Sequence, residues 1–79
     1  MTIETISMLK ELIAEKEGRL EAIGRRLEVL RNLVTNAADE EELSVYAHEV
    51  KDLGDEIIQL RDSRNKLKNM VNKFFKPAA

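Results

Sequence analysis

The chain has 79 residues, enough for one domain but too few for a catalytic scaffold with a separate substrate domain. Charged residues make up 35% and hydrophobic residues 43%, with three glycines, one proline and no cysteine. This composition is typical of coiled coils and long helices. The lack of cysteine excludes disulfides, thiolate zinc sites and cysteine nucleophiles, and a net charge of −2 does not by itself indicate nucleic acid.

The N-terminal segment before Gly18 has acidic residues where a signal peptide needs a basic stretch. No apolar run approaches the roughly 18 residues of a membrane span. We therefore expect a soluble, cytoplasmic protein without a membrane span.

The first predicted element is a helix over about residues 3–34, with Thr2 or Thr5 as its N-cap. Its stripe has alternate spacings of three and four and is interrupted only by Lys16. Its apolar members are Ile6, Leu9, Ile13, Leu20, Ile23, Leu27, Leu30 and Val34.

A turn is predicted at about residues 35–39, because the step from Val34 to Leu43 breaks the heptad spacing. Two pairs resemble capping boxes, Asn36 with Asp39 and Asp39 with Glu42. The second helix therefore begins between residues 37 and 40, with acidic residues in its first turn.

The second helix is predicted over about residues 40–75, and Pro77 with nearby lysines is expected to end it. Its stripe is interrupted only by Arg64. The other members are Leu43, Tyr46, Val50, Leu53, Ile57, Leu60, Leu67, Val71 and Phe74.

The charge distribution indicates that the two helices fold back on each other. The net charge is −2 over residues 1–17, +2 over 18–38, −7 over 39–56 and +5 over 57–79, so an antiparallel arrangement sets opposite charges side by side. The expected fold is all-α: residues 1–79 form one antiparallel helical hairpin of the coiled-coil type. The expected ion pairs between the helices are Arg19–Glu56, Arg26–Glu49 and Glu17–Arg61.

Two registers satisfy the heptads, with facing residue numbers that sum to about 73 or about 80. The first puts the bend at Thr35–Ala38 and is preferred on turn chemistry. The second moves the bend to Asp39–Glu41 and sets Lys16 opposite Arg64. It also brings Gly24 and Gly54 across from each other, which allows close approach or leaves a groove.

Two helices alone form a seam rather than a core, so we expect two hairpins to associate as a homodimeric four-helix bundle. Additional apolar residues widen the stripe of each helix. The predicted oligomer or partner interface contains Leu12, Leu33, Ile58, Met70, Phe74 and Phe75.

The residues predict neither an active site nor a metal or cofactor site. His48 is the single histidine and falls on the outer side of its helix, with Asp52 one turn on. Position 45 is Val, so the Glu-x-x-His pair of di-iron bundles is missing. We expect a small non-enzymatic regulatory or adaptor protein that acts through helix-mediated protein binding.

The alternative is a dimeric RNA- or DNA-binding bundle that uses basic helix faces. The candidate anion or nucleic-acid contacts are Arg19, Arg25, Arg26, Arg31, Lys66, Lys68 and Lys73. Salt dependence separates the two functions, because phosphate binding weakens steeply with salt whereas an apolar helix contact depends on exposed aliphatic side chains.

Two families share features with this sequence. The short hairpin with an acidic bend over residues 36–42 resembles Rop-type plasmid copy-control RNA-binding proteins, which implies a dimer that binds RNA. The segment from Ala47 to Leu53 resembles the hairpin phosphatases of the sporulation phosphorelay, whose pattern is Ser-Gln-Glu-Leu-Asp. Ala47 and Lys51 replace its Ser and Asp, which puts that activity in doubt.

Overall fold

The computed structural model describes residues 2–74, which form an antiparallel hairpin of two long helices. Helix α1 spans Ile3–Thr35 and helix α2 spans Glu40–Phe74, joined by a turn at residues 36–39. No strand occurs in this part of the chain. The predicted all-α hairpin is confirmed, and the expected helix end near Pro77 lies outside the described residues.

Threonine and asparagine side chains define the ends of α1. The hydroxyl of Thr2 accepts a hydrogen bond from the backbone N–H of Thr5 at 3.2 Å, so Thr2 is the N-cap. At the other end, the carbonyl of Asn32 accepts from both the backbone N–H and the side-chain Nδ2 of Asn36, at 3.1 and 2.9 Å. The amide side chain thus adds a second donor to a carbonyl in the last turn of the helix.

Helix α2 begins with the second of the two predicted capping pairs. Asp39 Oδ1 accepts from the backbone N–H of Glu42 at 2.8 Å, and Glu42 Oε2 accepts from the backbone N–H of Ala38 at 3.3 Å. Glu40, Glu41 and Glu42 occupy the first turn, where the partial positive charge of the helix N-terminus stabilises carboxylates.

Only α1 contributes fully buried side chains. Ile23 and Leu30 are 1% and 0% exposed, and Ile6 and Leu9 are also buried. Every one of these belongs to the predicted apolar stripe. No side chain of α2 is fully buried, and its stripe members Leu43, Val50 and Phe74 are exposed, with the rest half-buried. The described hairpin therefore leaves much of its own seam in contact with water.

The long-range ion pairs decide the register. Glu17 Oε1 lies 2.9 Å from Lys68 Nζ, not against Arg61 as the sequence predicts. At 1.5 Å of rise per residue, the lower register would place Lys68 about 18 Å along the axis from Glu17, and the higher one about 8 Å. Only the second distance is within reach of two long side chains. The preferred lower register is therefore wrong, although the turn at residues 36–39 lies close to the bend that this register assigned. The position of a turn does not by itself define how far one helix slides along the other.

The higher register places two cations opposite each other in the seam, Lys16 and Arg64. Both side chains are half-buried. Arg64 Nε is buried and has no hydrogen-bond partner among the described residues, while its Nη2 donates a long bond to Asn65 Oδ1 at 3.4 Å. This layer is the polar break in an otherwise aliphatic seam.

The hairpin is a thin slab that measures 59 × 21 × 15 Å. It is two helices wide and one helix thick. Its two broad sides are therefore both accessible to solvent, and on each of them residues that flank the interhelical seam are exposed.

Candidate interaction surfaces

Two bidentate ion pairs cross one broad side of the hairpin, which we call the salt-bridge side. Arg19 donates to Glu56 from Nε and Nη2 at 2.6 and 2.9 Å. Arg26 donates to Glu49 with the same two distances. Both pairs match the sequence prediction. Hydrogen bonds from the guanidinium groups lower the pKa of both carboxyl groups.

An apolar cluster lies at the open end of the salt-bridge side. Leu12 lies seven residues before Arg19, and Met70 lies fourteen after Glu56, so heptad spacing puts them on the same side as the ion pairs. Met8 is one turn before Leu12. All three side chains are exposed, Met8 to 63%. We name Met8, Leu12 and Met70 the open-end cluster.

A second apolar cluster lies near the turn on the same side. Leu33 is seven residues after Arg26, Val29 is one turn before Leu33, and Val45 is one turn before Glu49. Val29 and Val45 are exposed and Leu33 is half-buried. We name Val29, Leu33 and Val45 the turn-end cluster. Leu12 and Leu33 are about 30 Å apart along α1.

The opposite broad side, the groove side, carries the Glu17–Lys68 pair and two grooves. The larger groove, near the turn, has a volume of about 420 Å³ and is lined by Leu27, Arg31, Val34, Thr35, Leu43, Ala47 and Val50. The smaller, at the open end, has a volume of about 260 Å³ and is lined by Lys10, Ile13, Lys68, Val71 and Asn72. We call the larger one the turn-end groove.

The glycines of the groove side border open space. A Cβ atom added at Gly24 or at Gly54 would meet no atom within 4 Å beyond its chain neighbours and the adjacent backbone of its own helix. The open space excludes close helix approach at this pair, and it fits either a groove or a glycine tolerated at the surface, because Gly18 on the outer face borders open space too. Ala47, seven residues before Gly54, is another small residue that lines the groove. The sequence did not single it out. The heptad spacing of small residues beside the stripe is the signal that would have revealed it.

Most of the predicted anion-binding cations have carboxylate partners within the hairpin. Lys66 pairs with Asp62 at 3.0 Å, and three others form the interhelical pairs described above: Arg19, Arg26 and Lys68. The Lys73 ammonium lies 5.6 Å from the Phe74 ring centroid. Among the described residues, Arg25 and Arg31 have no carboxylate within ion-pair distance.

The remaining predicted interface residues do not share one surface. Ile58 is 68% exposed and follows Gly54 by one turn, so it lies away from the salt-bridge side. Phe74 is exposed at the end of α2, and Phe75 lies outside the described residues.

His48 is exposed and bonded to its own helix. Its Nδ1 lies 2.7 Å from the backbone carbonyl oxygen of Ser44, one turn earlier. Within residues 2–74, no group of three or more His, Asp or Glu side chains is placed to hold a metal ion.

Comparisons with known protein families, curated proteins and solved structures give no match to the chain. In the described part of the chain, neither helix is apolar enough over a sufficient length to cross a membrane. The two broad sides of the hairpin are therefore the basis for a functional proposal.

Proposed function

We propose that the protein is a small non-enzymatic regulatory or adaptor protein that acts by helix-mediated protein binding and self-association. In this proposal two hairpins pack through their salt-bridge sides into an antiparallel four-helix bundle. The observation that carries it is the pair of exposed apolar clusters, one at each end of that side. Leaving them in water is unfavourable, and exposed apolar side chains grouped on one side of a protein are typical of association surfaces.

The layout of the salt-bridge side suits a twofold axis. Leu12 and Leu33 are equally distant from the midpoint between Ala22 and Ile23, and so are Arg19 and Arg26. A twofold axis at that midpoint places the open-end cluster of each copy against the turn-end cluster of the other. Such an isologous contact is the commonest arrangement of soluble homodimers.

Charge complementarity favours the same antiparallel arrangement. On this side of α2, the half near the turn carries Glu42 and Asp52, whereas the half near the open end carries Lys66 and Lys73. Antiparallel packing brings the acidic half of one copy towards the basic half of the other. Parallel packing would instead set like charges together, which is unfavourable.

The available area is sufficient for a stable dimer. The broad side measures 59 by 21 Å, and contact over two thirds of it would bury roughly 800 Å² per copy. This is the amount that specific protein interfaces of standard size bury on each partner.

Analytical ultracentrifugation at micromolar concentration tests the proposal with a matched pair of variants. The wild-type chain should sediment at twice its 9.1 kDa mass, and Leu12→Glu should dissociate it because a carboxylate enters the open-end cluster. Ile58→Glu, on the other side, should remain dimeric. A monomeric wild-type chain, or dissociation by Ile58→Glu alone, would contradict the proposal.

A nucleic-acid-binding dimer is the second candidate, and the observation in its favour is that Arg25 and Arg31 have no carboxylate partner. Its weakness is that four of the seven candidate cations are already paired within the hairpin. Titration with a fluorescent RNA hairpin at two salt concentrations distinguishes the candidates, because phosphate binding must weaken steeply with added salt.

A further inference from the structure

The turn-end groove has a shape that could accommodate a third helix. One wall is formed by Leu27, Arg31 and Val34 and the other by Leu43, Ala47 and Val50. Both walls follow the spacing of three and four residues that neighbours on one helix face show. The side chains of Leu43 and Val50 are 41% and 38% exposed, so the hairpin leaves the apolar part of the groove open to solvent.

Small residues extend the groove along the hairpin axis. Gly24 is seven residues before Arg31, and Gly54 is seven residues after Ala47, so heptad spacing continues each wall with a glycine. Apart from its chain neighbours and the adjacent backbone of its own helix, neither glycine has an atom within 4 Å of the position that a Cβ would occupy. The groove lining covers about 12 Å of α1, from Leu27 to Thr35. The open surface at Gly24 lengthens it to about 17 Å, or three helical turns.

Arg31 is the single charged residue that lines the groove. No carboxylate of the described residues lies within ion-pair distance of the Arg31 guanidinium group. The hydroxyl of Thr35 donates to the backbone carbonyl of Arg31 at 2.9 Å and not to its side chain. A guanidinium at the rim of an apolar groove is suited to bind a ligand that has a carboxylate next to apolar side chains.

A second copy of the chain is a poor occupant. The walls of the two grooves on this side carry Lys10, Arg31 and Lys68. Neither groove lining contains an acidic residue, so a second groove side would bring no lining carboxylate to Arg31, whether the hairpins run parallel or antiparallel. The opposite side, where charges balance, is the one suited to self-association.

We propose that the turn-end groove binds one amphipathic helix of a partner protein, with the apolar stripe of that helix on the groove floor and a flanking carboxylate on Arg31. This inference deepens the proposed adaptor function and rests on its helix-mediated protein binding. It does not require the dimer, because the groove and the apolar clusters are on opposite sides.

The probe is a synthetic helical peptide of about 18 residues, with leucines at alternate spacings of three and four and glutamates beside them. Its matched control replaces those glutamates with lysines. Titrated into the isotope-labelled full chain, the glutamate peptide should shift the amide resonances of Ala47 and Val50 saturably and leave those of Met8 and Met70 unchanged.

Two variants and one control make the result specific. Ala47→Gln fills the groove and should weaken glutamate-peptide binding about tenfold or more. Arg31→Gln should abolish the preference for the glutamate peptide over the lysine peptide. Ala14→Gln, an equal change outside the groove lining, should bind like the wild-type chain.

Absence of saturable binding by the glutamate peptide would overturn the groove proposal, as would equal binding by Ala47→Gln. Shifts confined to Met8 and Met70 would overturn it as well. A chain that binds the peptide in the groove but sediments as a monomer would leave the groove site intact and contradict only the dimer.

Discussion

At the scale of single residues, Ile23 and Leu30 matter most for stability because they are the side chains that the hairpin removes completely from water. Both belong to α1 and pack against an α2 stripe that is itself only half-buried. The hairpin therefore depends on a few fully desolvated aliphatic groups, and removing one leaves a cavity that this thin structure has little surrounding material to fill.

Ile23→Ala is expected to lower the free energy of unfolding by about 2–5 kcal/mol, through lost burial and the cavity left behind. Ile58→Ala makes the same chemical change at a side chain that is 68% exposed, and should stay within about 0.5 kcal/mol of wild type. Urea denaturation followed by circular dichroism measures both. Equal losses in the two variants would mean that the seam is not packed as described.

Three glutamates link the stability of the hairpin to pH. A hydrogen bond from Arg26 lowers the pKa of Glu49, one from Arg19 lowers that of Glu56, and one from Lys68 lowers that of Glu17, all from an ordinary value of 4.5. Because these carboxyl groups bind protons less readily when folded, their stabilisation is present above pH 4.5. It is lost as the pH falls through the lowered values.

The wild-type chain should therefore unfold at a lower urea concentration at about pH 3 than at pH 7. The Glu49→Gln, Glu56→Gln double variant should lose less stability over the same interval, because two of the linked groups no longer titrate. Circular dichroism at both pH values provides the comparison. If the double variant loses as much stability between pH 7 and pH 3 as the wild-type chain, the loss must come from other carboxyl groups.

At the scale of the helices, the Lys16–Arg64 layer is unfavourable for stability but suited to specifying the alignment of α1 and α2. Shifting one helix by a heptad would bury each cation against a different aliphatic layer. A polar residue in an apolar seam commonly defines register at some loss of stability. The orphaned Nε of Arg64 is consistent with this role.

Arg64→Leu should raise the free energy of unfolding by about 1–3 kcal/mol, since a buried donor without a partner is replaced by an aliphatic group. Arg61→Leu, at an exposed position of the same helix, should change it little. Urea denaturation again provides the measurement. Destabilisation by Arg64→Leu would show that its guanidinium contributes more than its burial costs.

At the scale of the whole molecule, the hairpin is a slab with two different sides. The salt-bridge side has apolar clusters at its ends and two interhelical ion pairs between them, whereas the groove side has the Glu17–Lys68 pair and two concave grooves. This division allows one side to self-associate while the other remains available to a partner.

Cysteine cross-linking tests the orientation of the proposed dimer, and the natural absence of cysteine makes single-cysteine variants unambiguous. A short bis-maleimide reagent should link Ala22→Cys chains efficiently, because residue 22 lies near the proposed twofold axis. Ala38→Cys chains, with the label at the turn, should link poorly, since antiparallel packing sends the turns in opposite directions. Efficient linking of Ala38→Cys chains would indicate parallel hairpins, because parallel packing sets the two turns side by side.

Much of this fold can be read from local sequence signals. The stripes predict two helices, the broken heptad between Val34 and Leu43 predicts the turn, and Arg19 and Arg26 could be matched to their partners. Those two pairs are insensitive to register, because each remains within side-chain reach in either alignment. The partner of Glu17 does depend on the register, because the two alignments differ by seven residues. Local sequence signals do not distinguish between them.

The sequence by itself determined the two helices, the position of the turn and the apolar stripes along which the helices meet, because periodicity and turn signals act over a few residues. It narrowed each helix start to two capping alternatives, between which the structure selects Thr2 and the Asp39–Glu42 pair. Tertiary structure decided the register, the partner of Glu17 and the depth of the groove beside Ala47. These features depend on how far one helix slides along the other, and that is set by the summed packing and ion pairing of the whole seam.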